Sequence, residues 1–396
     1  MDKRLAIITT HPIQYHSPWF KLLAQSSNIC LKVFFTWSQT KERTINDRGF
    51  GISIEWDIPL LHGFDYCFIE NVSKKPGTHH FNGIVNPSLL NELNSWEPDG
   101  ILIIGWGFNS HLKCLRYFHN KIPVLFRGDS TLINDKIGLK RIIRKYFLKW
   151  VHRKVDYALY VGKQNKLYYL RNGLKENQLV FAPHAIDNSR FNNLNDKYKE
   201  QALNWRRQLG IKDDEIVFLF AGKLEQQKNP QILIEVFKSI YQPFIHLIFV
   251  GNGILEARLK KSALGIANCH FIDFQNQSKM PIVYQLGDVF ILPSVSETWG
   301  LCVNEAMAAG RPVIVSDNCG CAVDLVENDK NGYIFESNNK KDLCKKMELM
   351  MDKKKLEIMG KNSKLIIQNW SFENICRQIE NILLPKKIQI KHVISE

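Results

Sequence analysis

The sequence predicts an α/β chain of two Rossmann-like domains, and three observations predict it. Short apolar runs of strand length alternate with longer amphipathic stretches, the rhythm of a parallel sheet with helical crossovers. The rhythm runs twice, once on each side of a polar, charged stretch at 187–201. The chain has 396 residues, more than one ordinary core needs, since domains run about 100–200 residues.

In the first series strands are expected at 5–10, 31–36, 100–105, 123–127, 157–161 and 180–182, with helices at 17–25, 87–94 and 109–118. Ser17 is placed to cap the first helix, with Pro18 at its first position. The connection 49–84, rich in Gly, His and aromatics, reads as an irregular insertion facing the active site. The second series has expected strands at 216–220, 246–250, 270–274, 289–292, 312–315 and 333–335. Helices fit between them at 230–240, 254–264, 280–285, 304–309 and 322–327. Further helices are expected at 340–351, 354–367 and 370–384, the last capped by Ser371. The expected division is 1–185, 186–370, and a tail 371–396 that crosses back to the first domain. A TIM barrel also repeats βα units, but the linker and the insertion break its even spacing.

Composition narrows the class. Apolar residues make up 45%, as in globular proteins. No apolar run reaches the roughly 18–20 residues that span a bilayer. The opening MDKRLAIITTHPIQYH reads as a first buried strand rather than a signal peptide. Nine scattered cysteines, none in a CxxC pair, suit a reduced, cytoplasmic protein without a zinc site. The net charge of +14 implies an anionic partner, which nucleotide diphosphates, anionic lipid or nucleic acid would all satisfy.

Three turns between a strand and a helix carry candidate chemistry. Ala221-Gly222-Lys223-Leu224-Glu225-Gln226-Gln227-Lys228-Asn229-Pro230 places two lysines beside a helix start, a combination suited to a diphosphate and equally to a solvated loop. Ser296 to Gly310 places Glu297 on a loop and Glu305 on the helix after it. Gly300 and Leu301 lie between them, where helix-start N–H groups can meet phosphate. Carboxylates repel phosphate but suit hydroxyls, one set on a sugar and one on a ribose; the plainer reading is two surface glutamates. Val250-Gly251-Asn252-Gly253 leaves room for a nucleotide or simply makes a sharp turn. No Walker loop and no GxGxxG fingerprint is present, which disfavours P-loop and nicotinamide enzymes.

Glu297 to Gly310 resembles the E-x7-E signature of glycosyltransferase family 4, and the likeness runs on through Asn304-Glu305-Ala306-Met307-Ala308-Ala309-Gly310-Arg311-Pro312-Val313. Gly222-Lys223-Leu224…Lys228 resembles its Gly-Arg-Leu…Lys-Gly run, and Val250-Gly251-Asn252-Gly253 its Val-Gly-x-Gly turn. Pro183-His184-Ala185-Ile186-Asp187 is similar to its interdomain motif, and Asn331-Gly332-Tyr333 to its Asn-Gly-x turn. The resemblance implies the GT-B fold, two Rossmann-like domains facing each other across a deep cleft, and a retaining glycosyltransferase. Its co-substrate would be a nucleotide diphosphate sugar, with a UDP-sugar the first candidate, and no metal or other cofactor would be needed. It implies that Glu297 contacts the donor sugar, Glu305 the ribose, and Lys223 and Lys228 the diphosphate. Thr298, Gly300, Leu301, Gly222, Gly251 and Gly253 would complete the donor site.

Toward the N-terminus, Thr9-Thr10-His11-Pro12-Ile13-Gln14-Tyr15-His16 resembles a bacterial subgroup that begins with His-Pro-Ile-Gln-Tyr. His11, Gln14 and His16 become candidates for donor or acceptor contact, or simply members of a strand-end turn. Where many relatives carry a histidine, this chain reads Arg127-Gly128-Asp129-Ser130. Arg127 and Asp129 are therefore cleft candidates, with Asp129 placed to orient an acceptor hydroxyl. Residues 136–154 hold eight Lys/Arg and no Asp or Glu, interleaved with apolar residues at helical spacing. That pattern suits a helix with a buried apolar face, or one docked on an anionic membrane. The acceptor class expected is a saccharide or lipid-linked saccharide in envelope polysaccharide synthesis. The alternatives are a nucleic-acid- or protein-modifying transferase and an inactive nucleotide-sugar-binding protein. Nucleic acid is disfavoured, because no recognised binding module is present.

Overall fold

Both series of apolar runs form parallel sheets. The computed structural model describes residues 2–26, 28–37, 45–47, 52–133, 135, 138–192 and 196–384, with backbone alone at 45–47, 52–54, 139 and 140. The first series comprises β1 (Lys3–Thr9), β2 (Ile29–Phe35), β3 (Ile45–Asp47), β4 (Ile52–Ile54), β5 (Asp65–Phe68), β6 (Gly100–Ile104), β7 (Val124–Arg127), β8 (Tyr157–Tyr160) and β9 (Leu179–Phe181). The second comprises β10 (Ile216–Ala221), β11 (Ile245–Val250), β12 (Cys269–Ile272), β13 (Val289–Leu292), β14 (Val313–Ser316) and β15 (Gly332–Phe335).

The first sheet has seven strands in the order β5-β2-β1-β6-β7-β8-β9, and the second has six in the order β12-β11-β10-β13-β14-β15. In each the order of winding reverses once, between β1 and β6 and between β10 and β13. In open α/β sheets such a switch leaves a crevice at the carboxyl ends of the strands, because the flanking helices depart to opposite faces. Central strands such as Leu5–Ile8 and Val217–Phe220 are fully buried, as sheets covered on both faces require.

The last helix, Phe372–Leu383, belongs to the core of the first sheet although it follows the second. Phe372, Ile375, Ile379 and Leu383 pack with Leu5, Ile7, Trp19 and Phe20. Ser371 caps it, its hydroxyl accepting from Asn374 N at 3.3 Å. Residues 385–396 of the expected tail lie outside the described residues.

Several expectations need correction. The connection 49–84 is not wholly irregular: β3 and β4 form a hairpin just before and within it, and β5 adds an edge strand parallel to β2. The stretch 187–201 is no open linker, because short helix Asn188–Phe191 and the start of helix Lys197–Gln208 fall in it. Ser17 does not cap the first helix; it is the first helical residue, His16 precedes it without a side-chain cap, and Pro18 falls second. The expected helix at 304–309 begins earlier, as Leu301–Ala308.

The basic segment forms helix Leu139–His152, the crossover from β7 to β8. Lys136 and Ile137 of that segment lie outside the described residues. Its inner face is narrow: Leu148, Val151 and His152 are buried. Ile142, Ile143, Tyr146, Phe147 and Trp150 are exposed, so among its described apolar side chains only Leu148 and Val151 reach the core. No helix among the described residues is long and apolar enough to cross a membrane. All nine cysteines are free thiols.

Candidate active site

A cavity of about 810 Å³ lies where the two switch points face each other. The end of β1 brings Thr9, Thr10, His11, Gln14, Tyr15 and His16 to it, and the end of β7 brings Arg127 and Asp129. From the second sheet come Gly222, Lys223 and Lys228 after β10, Gly251 after β11, and the run Glu297 to Cys302 with Glu305 after β13. Of the residues singled out from the sequence, Gly253 alone does not line the cavity. Its place is structural: a Cβ there would lie 2.5 Å from the Leu224 carbonyl oxygen. Gly253 lets the turn after β11 pack on the turn after β10.

Lys228 ends a tight turn, Gln226–Lys228. That turn is strapped to the opposite loop, since Val295 N donates to Gln227 O at 2.9 Å and Gln227 Nε2 to Ser296 O at 2.8 Å. The straps bring the Lys228 ammonium against the Glu297 carboxylate in an ion pair. Side-chain exposure is 20% at Lys228 and 15% at Glu297, so the pair is largely screened from bulk water. Burial works against the Lys228 charge, but Cys302 and Glu297 outweigh it and hold its pKa above the ordinary lysine value.

Glu297 is anchored by its own backbone, its N–H donating to Asn318 O and its carbonyl accepting from Gly320 N, both at 3.0 Å. Beyond it Gly300 adopts φ 99° at the cap of helix Leu301–Ala308, a left-handed geometry that favours glycine. The first residues of that helix, Leu301 and Cys302, line the cavity, and a helix start favours anions. Glu305 lies one turn further and is 2% exposed. Its Oε2 accepts from Tyr284 OH at 2.6 Å and its Oε1 from Tyr15 OH at 3.3 Å. Burial raises the Glu305 pKa, while the two phenols and the Arg190 charge oppose the rise.

Tyr15 therefore reaches across from the first sheet to a carboxylate of the second. Further contacts join the halves, among them Thr298 Oγ1 donating to Asp129 Oδ2 at 3.1 Å, Asn304 Nδ2 donating to His184 O at 3.0 Å, and Lys163 N donating to Asp324 Oδ2 at 2.9 Å. Arg127 is 3% exposed, and its guanidinium donates to Ala182 O at 2.7 Å and Pro183 O at 2.8 Å. It binds the segment joining the two halves. Burial lowers its pKa to about 10, still well above neutrality. Arg127 thus lines the cavity, as expected of a cleft candidate, with its guanidinium engaged by these two carbonyls. Burial also keeps three histidines of the cavity neutral, with the pKa of His11 at about 4, His184 at about 3, and His16 well below the usual range. Buried His16 Nδ1 has no hydrogen-bond partner among the described residues.

Residues that sequence reasoning passed over include Tyr15, Tyr284, Trp56, Thr78, Gln275 and Gln277. Tyr15 stood in the quoted N-terminal motif, but nothing local ties it to a glutamate 290 positions away. Among the described residues no three His, Cys, Asp or Glu side chains are grouped to hold a metal ion.

The arrangement joins cations and helix-start amides, which suit a diphosphate, to two carboxylates suited to hydroxyls. Residues 201–365 match the family model described as glycosyl transferases group 1. Sulfoquinovosyl transferase SQD2 of Arabidopsis thaliana is 26% identical over 317 residues, which cover 75% of this chain and 58% of that protein. The UDP-Gal:alpha-D-GlcNAc-diphosphoundecaprenol alpha-1,3-galactosyltransferase of Escherichia coli is 31% identical over 200 residues, covering 48% and 49%. The chain spans about half the length of the curated relatives it matches. The crystal structure of Anabaena Alr3699/HepE in complex with UDP and glucose superposes with a TM-score of 0.69 at 15% identity, covering 96% of this chain and 99% of that one.

Proposed function

We propose that this chain, a group 1 glycosyl transferase by the match of residues 201–365 and of GT-B fold, moves a sugar from a nucleotide diphosphate donor to a saccharide acceptor with retention of configuration. One observation carries the reading. A cation paired to a loop carboxylate, Lys228 with Glu297, faces the start of a helix that holds a second, buried carboxylate, Glu305.

In this reading the donor diphosphate replaces Glu297 as the partner of Lys228. Lys223 and the helix start share the remaining charge, the stabilisation that a leaving group needs as its bond breaks. Glu297, released, accepts from hydroxyls of the sugar, and Glu305 accepts from the ribose diol in place of Tyr15. The bond from the anomeric carbon to the phosphate oxygen breaks. The acceptor hydroxyl oxygen bonds to that carbon on the same face, and its proton passes to the departing phosphate oxygen. Asp129 orients the acceptor hydroxyl; His11 and Gln14 contact donor or acceptor, His11 as a neutral imidazole. The protein supplies the counter-charge, so no metal is required.

UDP-sugars are the first donors to test. The Escherichia coli relative is named for UDP-Gal, and the Anabaena structure holds UDP and glucose. The acceptor proposed is a lipid-linked saccharide of envelope polysaccharide synthesis, met by a cytoplasmic enzyme at the inner membrane face. The test follows the anomeric proton of product by NMR with a UDP-sugar panel, with and without EDTA. An α-linked product from an α-linked donor, formed equally in EDTA, supports the reading. A β-linked product, or activity abolished by EDTA, refutes retention or metal independence respectively.

A further inference from the structure

Helix Leu139–His152 turns five large apolar side chains outward. Tyr146 is 69%, Ile143 63% and Ile142 53% exposed. Residues 142, 146 and 150 form one row at i, i+4 spacing, and 143 and 147 form a second beside it. At 3.6 residues per turn the two rows cover an arc of about 140°. The arc is not loose, for Phe147 stacks on Trp150 at 5.6 Å and meets Trp106 edge-on at 5.6 Å. A soluble protein gains nothing from holding five large apolar groups in water along one helix.

Charge accompanies the arc. The helix carries Arg141, Arg144, Lys145 and Lys149 with Arg153 and Lys154 after it, and 136–154 contains no acidic residue. At its inner flank a second cavity of about 400 Å³ is lined by Arg141, Arg144, Lys145 and Arg171, with Asp135 opposite. Asp135 pairs with Arg141 at 3.0 Å. Among the described residues no ion pair holds Arg144, Lys145 or Arg171. The loop that follows β7 links this cavity to the cleft, since it brings Asp129 to the cleft and Thr131 and Ile133 to the basic cavity.

We propose that this face docks on an anionic phospholipid bilayer, its five apolar side chains entering the interface and the cations along the rest of the helix drawing it to the lipid phosphates. The surface has the two components such docking needs, apolar area and a polybasic rim. It deepens the lipid-linked acceptor reading by setting the cleft beside the membrane, yet it is tested without any donor.

The full chain is floated with phosphatidylcholine vesicles and with vesicles of about one-third phosphatidylglycerol, at low and physiological salt. Partition onto the anionic vesicles is expected to exceed that onto neutral ones by at least about tenfold, and to weaken with salt. Ile143→Ser with Tyr146→Ser, both at exposed sites, is expected to lower it at least about tenfold. Arg144→Ala with Lys145→Ala is expected to lower it several-fold and to flatten its salt dependence, while millimolar glycerol phosphate leaves it unchanged. Equal binding to both vesicle types, or binding unaffected by the Ile143/Tyr146 change, overturns the proposal. Displacement by glycerol phosphate would make the cavity a site for free phosphate and overturn the lipid assignment. A concentration-dependent dimer that the same Ile143/Tyr146 change abolishes would make the face an interface between copies and overturn it too.

Discussion

Lys228→Ala tests the exchange of partners that donor binding requires. The perturbation has two parts. A charge-assisted hydrogen bond to phosphate is lost, about 1.5–3 kcal/mol. Glu297, only 15% exposed, is also left facing the diphosphate without its counter-ion. A carboxylate about 5 Å from a phosphate oxygen is repelled by about 3 kcal/mol at an effective dielectric of about 20, and the open, wet cavity reduces that. Together these terms weaken UDP binding by about a hundredfold to a thousandfold. Uridine, which lacks the phosphates, is expected to bind within about twofold of wild type. Glu297→Gln alone removes a rival for Lys228, so UDP binds at least as tightly as in the wild type. The double variant regains about tenfold or more over Lys228→Ala, because the repulsion is gone. Isothermal titration of the four proteins closes the cycle. Additive single effects, or UDP binding untouched by Lys228→Ala, would refute the reasoning.

Arg127→Met leaves the Ala182 and Pro183 carbonyls without their charged donor and should lower unfolding stability by about 3 kcal/mol; an unchanged urea midpoint would show that Arg127 does not hold the junction. Gly253→Ala forces a Cβ to 2.5 Å from Leu224 O, so we expect a lower melting temperature, while the UDP affinity of the folded fraction is kept; affinity lost at full stability would return Gly253 to the donor site. Buried His111 is held neutral, its pKa lowered to about 4 by burial against the pull of the Gly105 and Ile104 carbonyls. An unfolded histidine titrates near 6.5, so below that pH the unfolded chain binds the extra proton and stability falls as pH drops toward 4, by at most about 3 kcal/mol for this group. Replacing it by Asn should flatten the stability profile between pH 6.5 and 4, and an unaltered slope would contradict that origin.

Much of the fold was legible because buried parallel strands are short, continuous apolar runs. Ile216–Ala221 reads FLF-rich and is buried throughout. Asp65–Phe68 escaped notice because it lies at the sheet edge, half-exposed, with Asp and Cys in four residues. The start of helix Lys197–Gln208 falls in the stretch that reads as a linker because Lys197, Lys199, Glu200 and Gln201 make it polar and the helix fully buries only Ala202 and Arg206. Helix Lys163–Arg171 was passed over for a similar reason, its Tyr168 and Tyr169 sitting among Lys, Gln, Asn and Arg. Within the site, residues carried by local turns were legible: Gly222, Lys223 and Lys228 after one strand, Glu297 through Glu305 after another. Contacts between the halves were not. Tyr15 on Glu305 and Thr298 on Asp129 depend on how the two sheets face each other, and no local period encodes that. The basic helix was visible as a pattern, but whether its apolar residues faced the core was a tertiary question, answered by what the crossover left uncovered.

Donor turnover tests the central claim most directly. Wild type and Glu297→Gln are incubated with a panel of nucleotide diphosphate sugars, and released nucleotide diphosphate is measured alongside binding of the same nucleotides. The account expects the wild type to consume one donor and Glu297→Gln to lose at least about a hundredfold of that rate while still binding the nucleotide. Equal turnover by the two proteins, or a wild type that binds none of the nucleotides, would contradict it.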